Sequence, residues 1–346
     1  MMTDEPLAST PATPTPAPMI LLPEHAGAPH FSLQRFSGIA TLVLLFFASA
    51  SFTVAYLSAG GEIASAESQT TAAATTAPAD DTFASIVLLA EGAYVFDLTT
   101  NRVLYSKNPD TQLALASLVK VPLVLAVSEV LEPAAEITIP PHTTPDGAGI
   151  RIPSGLTFEA RDLIDFTLVA SSNEGAAILT EAAEDGLRKK YPLATPGAAV
   201  LWRMNDIAKN LGLNHMVFLN TNGLDQSDTQ AGAYGSAHDV ALLFGYAAKT
   251  APAAFEHTSR DSITIRAKTG ETIPATNTDE ALPAIPGTIM GKTGYTELAG
   301  GNLAVVFEVG PAHPVVAVIL HSTQDGRFSD MKKLVAATLA AIGAGE

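Results

Sequence analysis

The pattern of hydrophobic and polar positions along the chain changes near residue 82. Before that point, an uncharged apolar run at 36–57 lies between two polar segments rich in Pro, Thr and Ala. After it, short β-prone runs at both ends enclose a series of helix-like segments. Strands, then helices, then strands predict an α/β (α+β) fold, in which an antiparallel sheet is flanked by helices and interrupted by an inserted all-helical subdomain.

The predicted elements can be given approximate bounds. Gly92–Leu98 and Arg102–Lys107 surround the turn residues Thr99-Thr100-Asn101 and predict a hairpin. A helix is predicted over 117–132, where Pro122 is tolerated because it lies within the first turns. Further helices are predicted near 159–170, 174–185, 197–211, 236–249 and 329–342, and strands at 262–267, 302–309 and 315–320.

The apolar run Phe36–Leu57 predicts a membrane-spanning helix, because about 20 apolar residues cross a bilayer core. The long segment before it favours an uncleaved anchor over a signal peptide. Arg35 on one side and acidic residues on the other predict a cytoplasmic N-terminus in a single-pass protein of the cell membrane. We therefore expect a disordered Pro-rich cytoplasmic tail (1–35), the helix, a flexible linker (58–81) and an extracytoplasmic globular domain (82–346).

Composition excludes several classes of function. The 346 residues include 19 Lys+Arg and 35 Asp+Glu, a net charge of −16, and phosphate binding requires a basic surface, so a nucleic-acid partner is not expected. The absence of cysteine excludes disulfides, thiolate metal sites and a thiol nucleophile. The 8 histidines form no His-Glu-x-x-His motif or close pair, so no zinc site is predicted.

Three short motifs carry candidate chemistry: Ser117-Leu118-Val119-Lys120, Ser171-Ser172-Asn173 and Lys292-Thr293-Gly294. A serine acts as a nucleophile at neutral pH only when a base lies within hydrogen-bond reach. Ser117 and Lys120 share one face at a predicted helix start, where backbone N–H groups can also stabilise an oxyanion. A Ser-x-x-Lys motif alone is more often a solvated helix face, so it needs support from the other two.

Each motif has a second copy elsewhere: Ser329-Asp330-Met331-Lys332, Ser106-Lys107-Asn108 and Lys268-Thr269-Gly270. Only the first set follows the order Ser-x-x-Lys, Ser-x-Asn and Lys-Thr-Gly that penicillin-recognising serine enzymes use. Lys292 also leads through Ala299-Gly300-Gly301 into a predicted strand, and small residues there permit close approach of a substrate backbone. Lys268 precedes a Pro/Thr-rich stretch that we expect to be irregular, so a structural role is predicted for it.

With these motifs, the chain resembles the D-alanyl-D-alanine carboxypeptidases, the low-molecular-mass penicillin-binding proteins of the S11 serine peptidase type. The resemblance covers about residues 85–345. It includes the segments 94–97, 103–108, 222–225, 236–239 and 277–287, together with Arg327 and Asp330. The chain departs from the family at Val119, where Thr is usual, and at Glu174-Gly175, where Asp-Ala is usual.

The resemblance implies a serine DD-peptidase/β-lactamase-like fold with 82–346 as its catalytic domain. It also implies catalytic roles for four residues. Ser117 would be the nucleophile and a neutral Lys120 its base. Ser171 would relay the proton to the leaving nitrogen, and Asn173 would hold both the lysine and the substrate amide.

Substrate binding is implied for the third motif. Lys292 and Thr293 would bind the terminal carboxylate of the substrate, next to Gly294 on the same segment. Backbone N–H groups of Ser117 and Tyr295 would form the oxyanion hole. The implied mechanism requires neither a metal ion nor a cofactor.

The function implied is removal of the terminal D-alanine from peptidoglycan stem pentapeptides through an acyl-enzyme on Ser117, with β-lactam antibiotics as covalent inhibitors. A DD-endopeptidase that cleaves cross-links stays open as an alternative. So does a wall-binding homologue with little turnover, because of Val119 and Glu174. A β-lactamase is disfavoured, because the stretch 201–213 offers Asp206 and lacks the glutamate that activates the deacylating water.

Overall fold

The computed structural model describes residues 82–141 and 152–343. The predicted tail (1–35), membrane helix (36–57) and linker (58–81) lie outside the described residues. Within the two described ranges, no helix is both long and apolar enough to cross a membrane.

The described strands and helices alternate in short blocks along the chain. The strands are β1 (Gly92–Asp97), β2 (Arg102–Lys107), β3 (Leu113–Ala114), β4 (Glu136–Thr138), β5 (Thr157–Glu159), β6 (Val217–Phe218), β7 (Ala233–Gly235), β8 (Ser262–Arg266), β9 (Thr272–Thr276), β10 (Thr288–Thr296), β11 (Gly300–Glu308) and β12 (Pro314–Ser322). The helices are α1 (Lys120–Val127), α2 (Ala160–Val169), α3 (Asn173–Lys190), α4 (Ala199–Asn210), α5 (Ala237–Thr250), α6 (Pro252–Phe255) and α7 (Gly326–Gly343). Short 3-10 turns cover Ala116–Val119, Glu256–Ser259 and Leu282–Ala284.

A five-stranded antiparallel sheet, in the order β10-β11-β12-β1-β2, is the centre of the domain. Alternate residues of β12 bury opposite faces of this sheet. Val316 and Val318 join the core shared with α1 and α5, whereas Ala317 and Ile319 pack with Met331 of α7. Both faces are covered, and for this reason β11 and β12 are almost continuously apolar in sequence.

The segment between β2 and β10 carries α1 to α6, so the predicted helical insertion is present. The prediction that it is all-helical is wrong. Two small sheets, β3-β7-β6 and β4-β5, lie among these helices, and their strands have two or three residues, too few to give a clear alternating pattern. A third small sheet, β8-β9, follows α6, and its first strand is the one predicted at 262–267.

Several predicted bounds change in the structure. The first helix is a 3-10 turn followed by α1, and it ends at Val127 instead of 132. The Pro/Thr-rich stretch after Lys268 forms β9, which pairs with β8 and buries Ile273 and Ala275. β10 was not predicted as a strand, because Gly291, Lys292 and Gly294 lower its β-propensity. β10 forms because it pairs along its length with β11.

Candidate active site

Ser117 and Lys120 lie where the first 3-10 turn meets α1. The fully buried Nζ of Lys120 lies 2.7 Å from Ser117 Oγ, 2.8 Å from Asn173 Oδ1 and 2.8 Å from the backbone oxygen of Asn222. The last two oxygens can only accept hydrogen bonds. In the neutral amine, the two N–H groups are used by these acceptors. The lone pair is then left for the hydroxyl group of Ser117, whereas in the protonated amine the third N–H group donates to Ser117 Oγ.

The electrostatic surroundings of Lys120 favour the neutral amine. Burial, and then the positive charge of Lys292, hold the pKa of Lys120 well below its usual value of 10.5. Ser117 itself is only half-buried, so its hydroxyl group remains accessible. The arrangement has the features that a general base next to a nucleophile requires.

Ser171 and Asn173 lie at the junction between α2 and α3. Ser171 has a φ of 55°, a left-handed backbone conformation that reverses the chain between the two helices. Ser172 then caps α3, because its Oγ accepts a hydrogen bond from Gly175 N at 3.0 Å. Asn173 is the first residue of α3, and its side chain reaches Lys120. The cap formed by Ser172 thus positions the second motif, Ser171-Ser172-Asn173.

The departures from the family pattern have local structural roles. Val119 is fully buried in the main core. Glu174 Oε2 accepts a hydrogen bond from Ile152 N at 2.9 Å, so it fastens the start of α3 to a neighbouring segment. A Cβ on residue 175 would lie 2.3 Å from Thr167 Oγ1, so Gly175 allows α2 and α3 to pack closely.

Lys292 lies in the middle of β10 and is almost fully buried, with 2% of its surface exposed. Its Nζ donates hydrogen bonds to Ser171 Oγ at 2.8 Å and to the backbone oxygen of Thr293 at 2.9 Å. Burial and the nearby charge of Arg327 lower the pKa of Lys292 to about 7, and Asp279 opposes this shift. Lys292 therefore connects the third motif directly to the second.

The remaining residues of the third motif place β10 beside the nucleophile. A Cβ on residue 294 would lie 2.8 Å from the backbone oxygen of Leu115 and 3.2 Å from Ser117 N, so only Gly294 permits this approach. Thr293 is 4% exposed, and its Oγ1 lies 2.5 Å from Thr278 Oγ1. Tyr295 is 42% exposed at the edge of the site. The structure thus brings all three motifs together.

Sequence reasoning missed several groups that support this arrangement. Arg327, at the start of α7, donates a hydrogen bond from Nη1 to the backbone oxygen of Gly294 at 3.0 Å. Asp279 is 5% exposed, and its Oδ2 has no hydrogen-bond partner among the described residues. Asp225 accepts hydrogen bonds from Thr296 Oγ1 at 2.9 Å and from Leu298 N at 3.2 Å. Asp225 and Arg327 lie in segments that carry the family resemblance. Their positions in the sequence, however, do not indicate that they contact the segment of the third motif.

The second copies of the motifs lie elsewhere. Lys107 Nζ donates to the backbone oxygens of Leu88 and Ala90, and Ser329 and Lys332 are exposed on α7. Asp206 pairs with Arg203 on α4. Among residues 82–141 and 152–343, no group of three or more His, Asp or Glu side chains could hold a metal ion.

Comparison with known proteins gives one family. A family model described as D-alanyl-D-alanine carboxypeptidase matches residues 74–324. The D-alanyl-D-alanine carboxypeptidase DacF of Bacillus subtilis is 27% identical over 259 residues, which are 71% of this chain and 61% of that protein. The D-alanyl-D-alanine endopeptidase of Escherichia coli is 28% identical over 270 residues, which are 76% and 80% of the two chains.

Solved structures show the same fold. A penicillin-binding protein of Listeria monocytogenes, in its ampicillin-bound form, superimposes with a TM-score of 0.61 at 25% identity, covering 73% of this chain and 98% of that one. The described domain thus has the α/β fold of penicillin-binding DD-peptidases. The chain spans less than two thirds of the length of DacF.

Proposed function

The chain belongs to the D-alanyl-D-alanine carboxypeptidase family, and on that basis we propose that it is a serine-type D-Ala-D-Ala carboxypeptidase. It removes the terminal D-alanine from peptidoglycan stem pentapeptides through an acyl-enzyme on Ser117. The observation that carries this proposal is the buried Lys120 Nζ, which contacts Ser117 Oγ and two acceptors, Asn173 Oδ1 and the backbone oxygen of Asn222. When the amine is neutral, the two acceptors take its N–H groups and its lone pair is left for Ser117. A binding module without turnover has no need of such an arrangement.

Acylation follows from these contacts. Ser117 Oγ forms a bond with the carbonyl carbon of the penultimate D-alanine, and Lys120 Nζ takes the hydroxyl proton. The carbonyl oxygen becomes an oxyanion, which the backbone N–H groups of Ser117 and Tyr295 stabilise, each by about 3 kcal/mol. The proximity of Gly294 to Ser117 N supports this pairing of donors.

Collapse of the intermediate requires a proton on the leaving nitrogen. Ser171 Oγ accepts a hydrogen bond from Lys292 at 2.8 Å, so its own proton remains available for the leaving D-alanine. The C–N bond breaks as Ser171 donates that proton, and Ser171 regains one from Lys120. Water then attacks the ester, with neutral Lys120 as base, and releases the shortened peptide.

Binding of the substrate's terminal carboxylate is assigned to Lys292 and Thr293, as a cation and a hydroxyl donor. The buried Arg327 is hydrogen-bonded to the backbone oxygen of Gly294 on the same strand, where its charge adds positive potential. This requirement for a free carboxylate suits a carboxypeptidase.

A DD-endopeptidase is the second candidate. The observation that favours it is the Escherichia coli endopeptidase, because this chain covers 80% of that protein at 28% identity. Both activities use the same acyl-enzyme, so only the substrate distinguishes them.

The test is the intact mass of the full chain in detergent after incubation with benzylpenicillin, followed by peptide mapping. We expect a stable adduct on Ser117, and none for Ser117→Ala, whose melting temperature should remain close to that of the wild type. Rapid hydrolysis of the drug without a lasting adduct would indicate a β-lactamase. Neither adduct nor hydrolysis would contradict the proposed mechanism. Release of D-alanine from a pentapeptide, compared with cleavage of cross-linked dimers, then separates the two peptidases.

We also propose that 36–57 anchors the chain in the cell membrane, with the N-terminus in the cytoplasm and the catalytic domain outside. The support is the uncharged apolar sequence of that segment. Deletion of 36–57 should release the protein from the membrane fraction. Protease added outside spheroplasts should cleave the domain of the intact chain, and protection of the domain would contradict this orientation.

A further inference from the structure

We propose that Thr278 is a positioning residue that directs the hydroxyl group of Thr293 toward the substrate carboxylate. The proposal rests on the proposed function of Thr293 as a carboxylate donor. Its basis is the 2.5 Å contact between Thr278 Oγ1 and Thr293 Oγ1, inside a turn that is bonded to the segments carrying the second and third motifs.

The chemistry of two hydroxyl groups explains why this contact matters. Each hydroxyl group has one proton to donate and two lone pairs to accept with. If Thr293 donated to Thr278, its only proton would be unavailable to an anion. If Thr278 donates to Thr293, that proton is free, and the bond fixes the Thr293 oxygen at the same time. An arriving carboxylate selects the second arrangement, and the two bonds in series strengthen each other.

The turn that carries Thr278 is held on two sides. Thr278 N donates a hydrogen bond to the backbone oxygen of Val169 at 3.2 Å, at the end of α2 and two residues before Ser171. Asn277 Nδ2 donates to the backbone oxygen of Thr258 at 2.8 Å, and Thr258 Oγ1 accepts from Gly291 N at 3.1 Å. The Thr278 hydroxyl group is therefore placed relative to both Ser171 and Lys292.

Few other groups could orient Thr293. Thr293 as a whole residue is only 4% exposed, so little bulk water reaches it. Within the described ranges, Thr278 Oγ1 is the side-chain atom that hydrogen-bonds to Thr293 Oγ1. Removal of the Thr278 hydroxyl group would leave the Thr293 proton with no defined direction before substrate arrives.

The experiment compares Thr278→Val, which keeps the branched shape and removes the hydroxyl group, with Thr278→Ser, which keeps the hydroxyl group. The acylation rate constant with benzylpenicillin, which carries a carboxylate, and kcat and KM on a D-Ala-D-Ala peptide are measured for the full chain. We expect Thr278→Val to lower the acylation rate constant and kcat/KM about tenfold, the effect of one hydrogen bond to a charged group. Thr278→Ser should restore most of the loss. Thr276→Val, an exposed threonine on β9, is the matched control and should behave as the wild type.

A double-mutant cycle separates positioning from a general structural role. In a Thr293→Val background, Thr278→Val should have less than about a twofold effect, because the group through which it acts is gone. Equal losses in both backgrounds would overturn the proposal, and so would wild-type rates for Thr278→Val. If Thr278→Val does not fold, Thr278→Ala is used in the same cycle. A wild-type chain that is neither acylated nor active contradicts the proposed function itself, whereas additive losses in an active enzyme contradict only the role of Thr278.

Discussion

The tripeptide Lys-Thr-Gly occurs twice in the chain, and the two copies lie in opposite environments. Lys292 is buried in β10, donates to Ser171 Oγ, and has its pKa lowered to about 7 by burial and by Arg327. Lys268 lies in the exposed turn between β8 and β9, and its Nζ is 2.8 Å from Glu159 Oε1. That hydrogen bond raises the pKa of Lys268. The lysine pKa is therefore lowered in one copy of the tripeptide and raised in the other.

The two glycines differ in the same way. Gly270 has a φ of 105°, which an L-residue rarely adopts, and the space around its missing Cβ is open. Gly294 has no such backbone requirement, but a Cβ there would lie 2.8 Å from the backbone oxygen of Leu115. One glycine is needed for a turn and the other for contact with the serine turn. The comparison shows that tertiary neighbours, and not the tripeptide, create the chemistry.

The largest effect should come from the lysines. Lys292→Ala removes the cation proposed to bind the substrate carboxylate and also the hydrogen-bond partner of Ser171, so we expect kcat/KM to fall about 10²- to 10³-fold. Lys268→Ala, its matched control, removes an exposed ion pair and should leave kcat/KM unchanged. Steady-state kinetics on a D-Ala-D-Ala peptide measure both. The reverse ranking would show that the wrong copy was assigned to the site.

Alanine substitutions at the two glycines should have different effects, one on activity and the other on stability. Gly294→Ala pushes β10 away from Ser117, and a displacement near 1 Å costs about 10²-fold in rate, so penicillin acylation should slow by that factor. Gly270→Ala should instead lower the free energy of unfolding by about 1 kcal/mol and leave acylation intact. Urea unfolding and acylation kinetics are measured on both variants. Slow acylation of Gly270→Ala, or a normal acylation rate for Gly294→Ala, would contradict the assignment of Gly270 to stability and of Gly294 to activity.

The smallest effect is a shift along the pH axis. In the proposed mechanism Lys292 binds the substrate carboxylate as a cation, so kcat/KM should decline as the pH rises through its pKa of about 7. Asp279 raises this pKa because its negative charge favours the protonated amine. Asp279→Asn should therefore move the decline to lower pH. Glu280→Gln, an exposed neighbour, and Lys268→Ala should leave it in place. An unchanged profile for Asp279→Asn would show that its carboxylate does not influence Lys292.

The sequence predicts the site better than it predicts the structure around it. The order of the motifs along the chain distinguishes Ser117, Ser171 and Lys292 from the second copies of the same motifs, and the structure brings these three residues together. The contacts of Thr278, Asp279 and Arg327 were not predictable, because they join segments that are distant in sequence and match no spacing rule. β10 was not predicted as a strand because its glycines and lysine have low β-propensity. These residue types are required by the candidate site and not by the strand.

The bond between Lys120 and Asn222 also affects how the domain folds. These residues are 102 positions apart, yet Asn222 supplies one of the two acceptors that orient the lysine amine. Contacts of such long range tend to form late, since the entropy lost on closing the loop must first be offset. During refolding, we therefore expect helical circular dichroism to recover before the capacity to react with a fluorescent penicillin. Such a probe would report the completion of the native topology in real time.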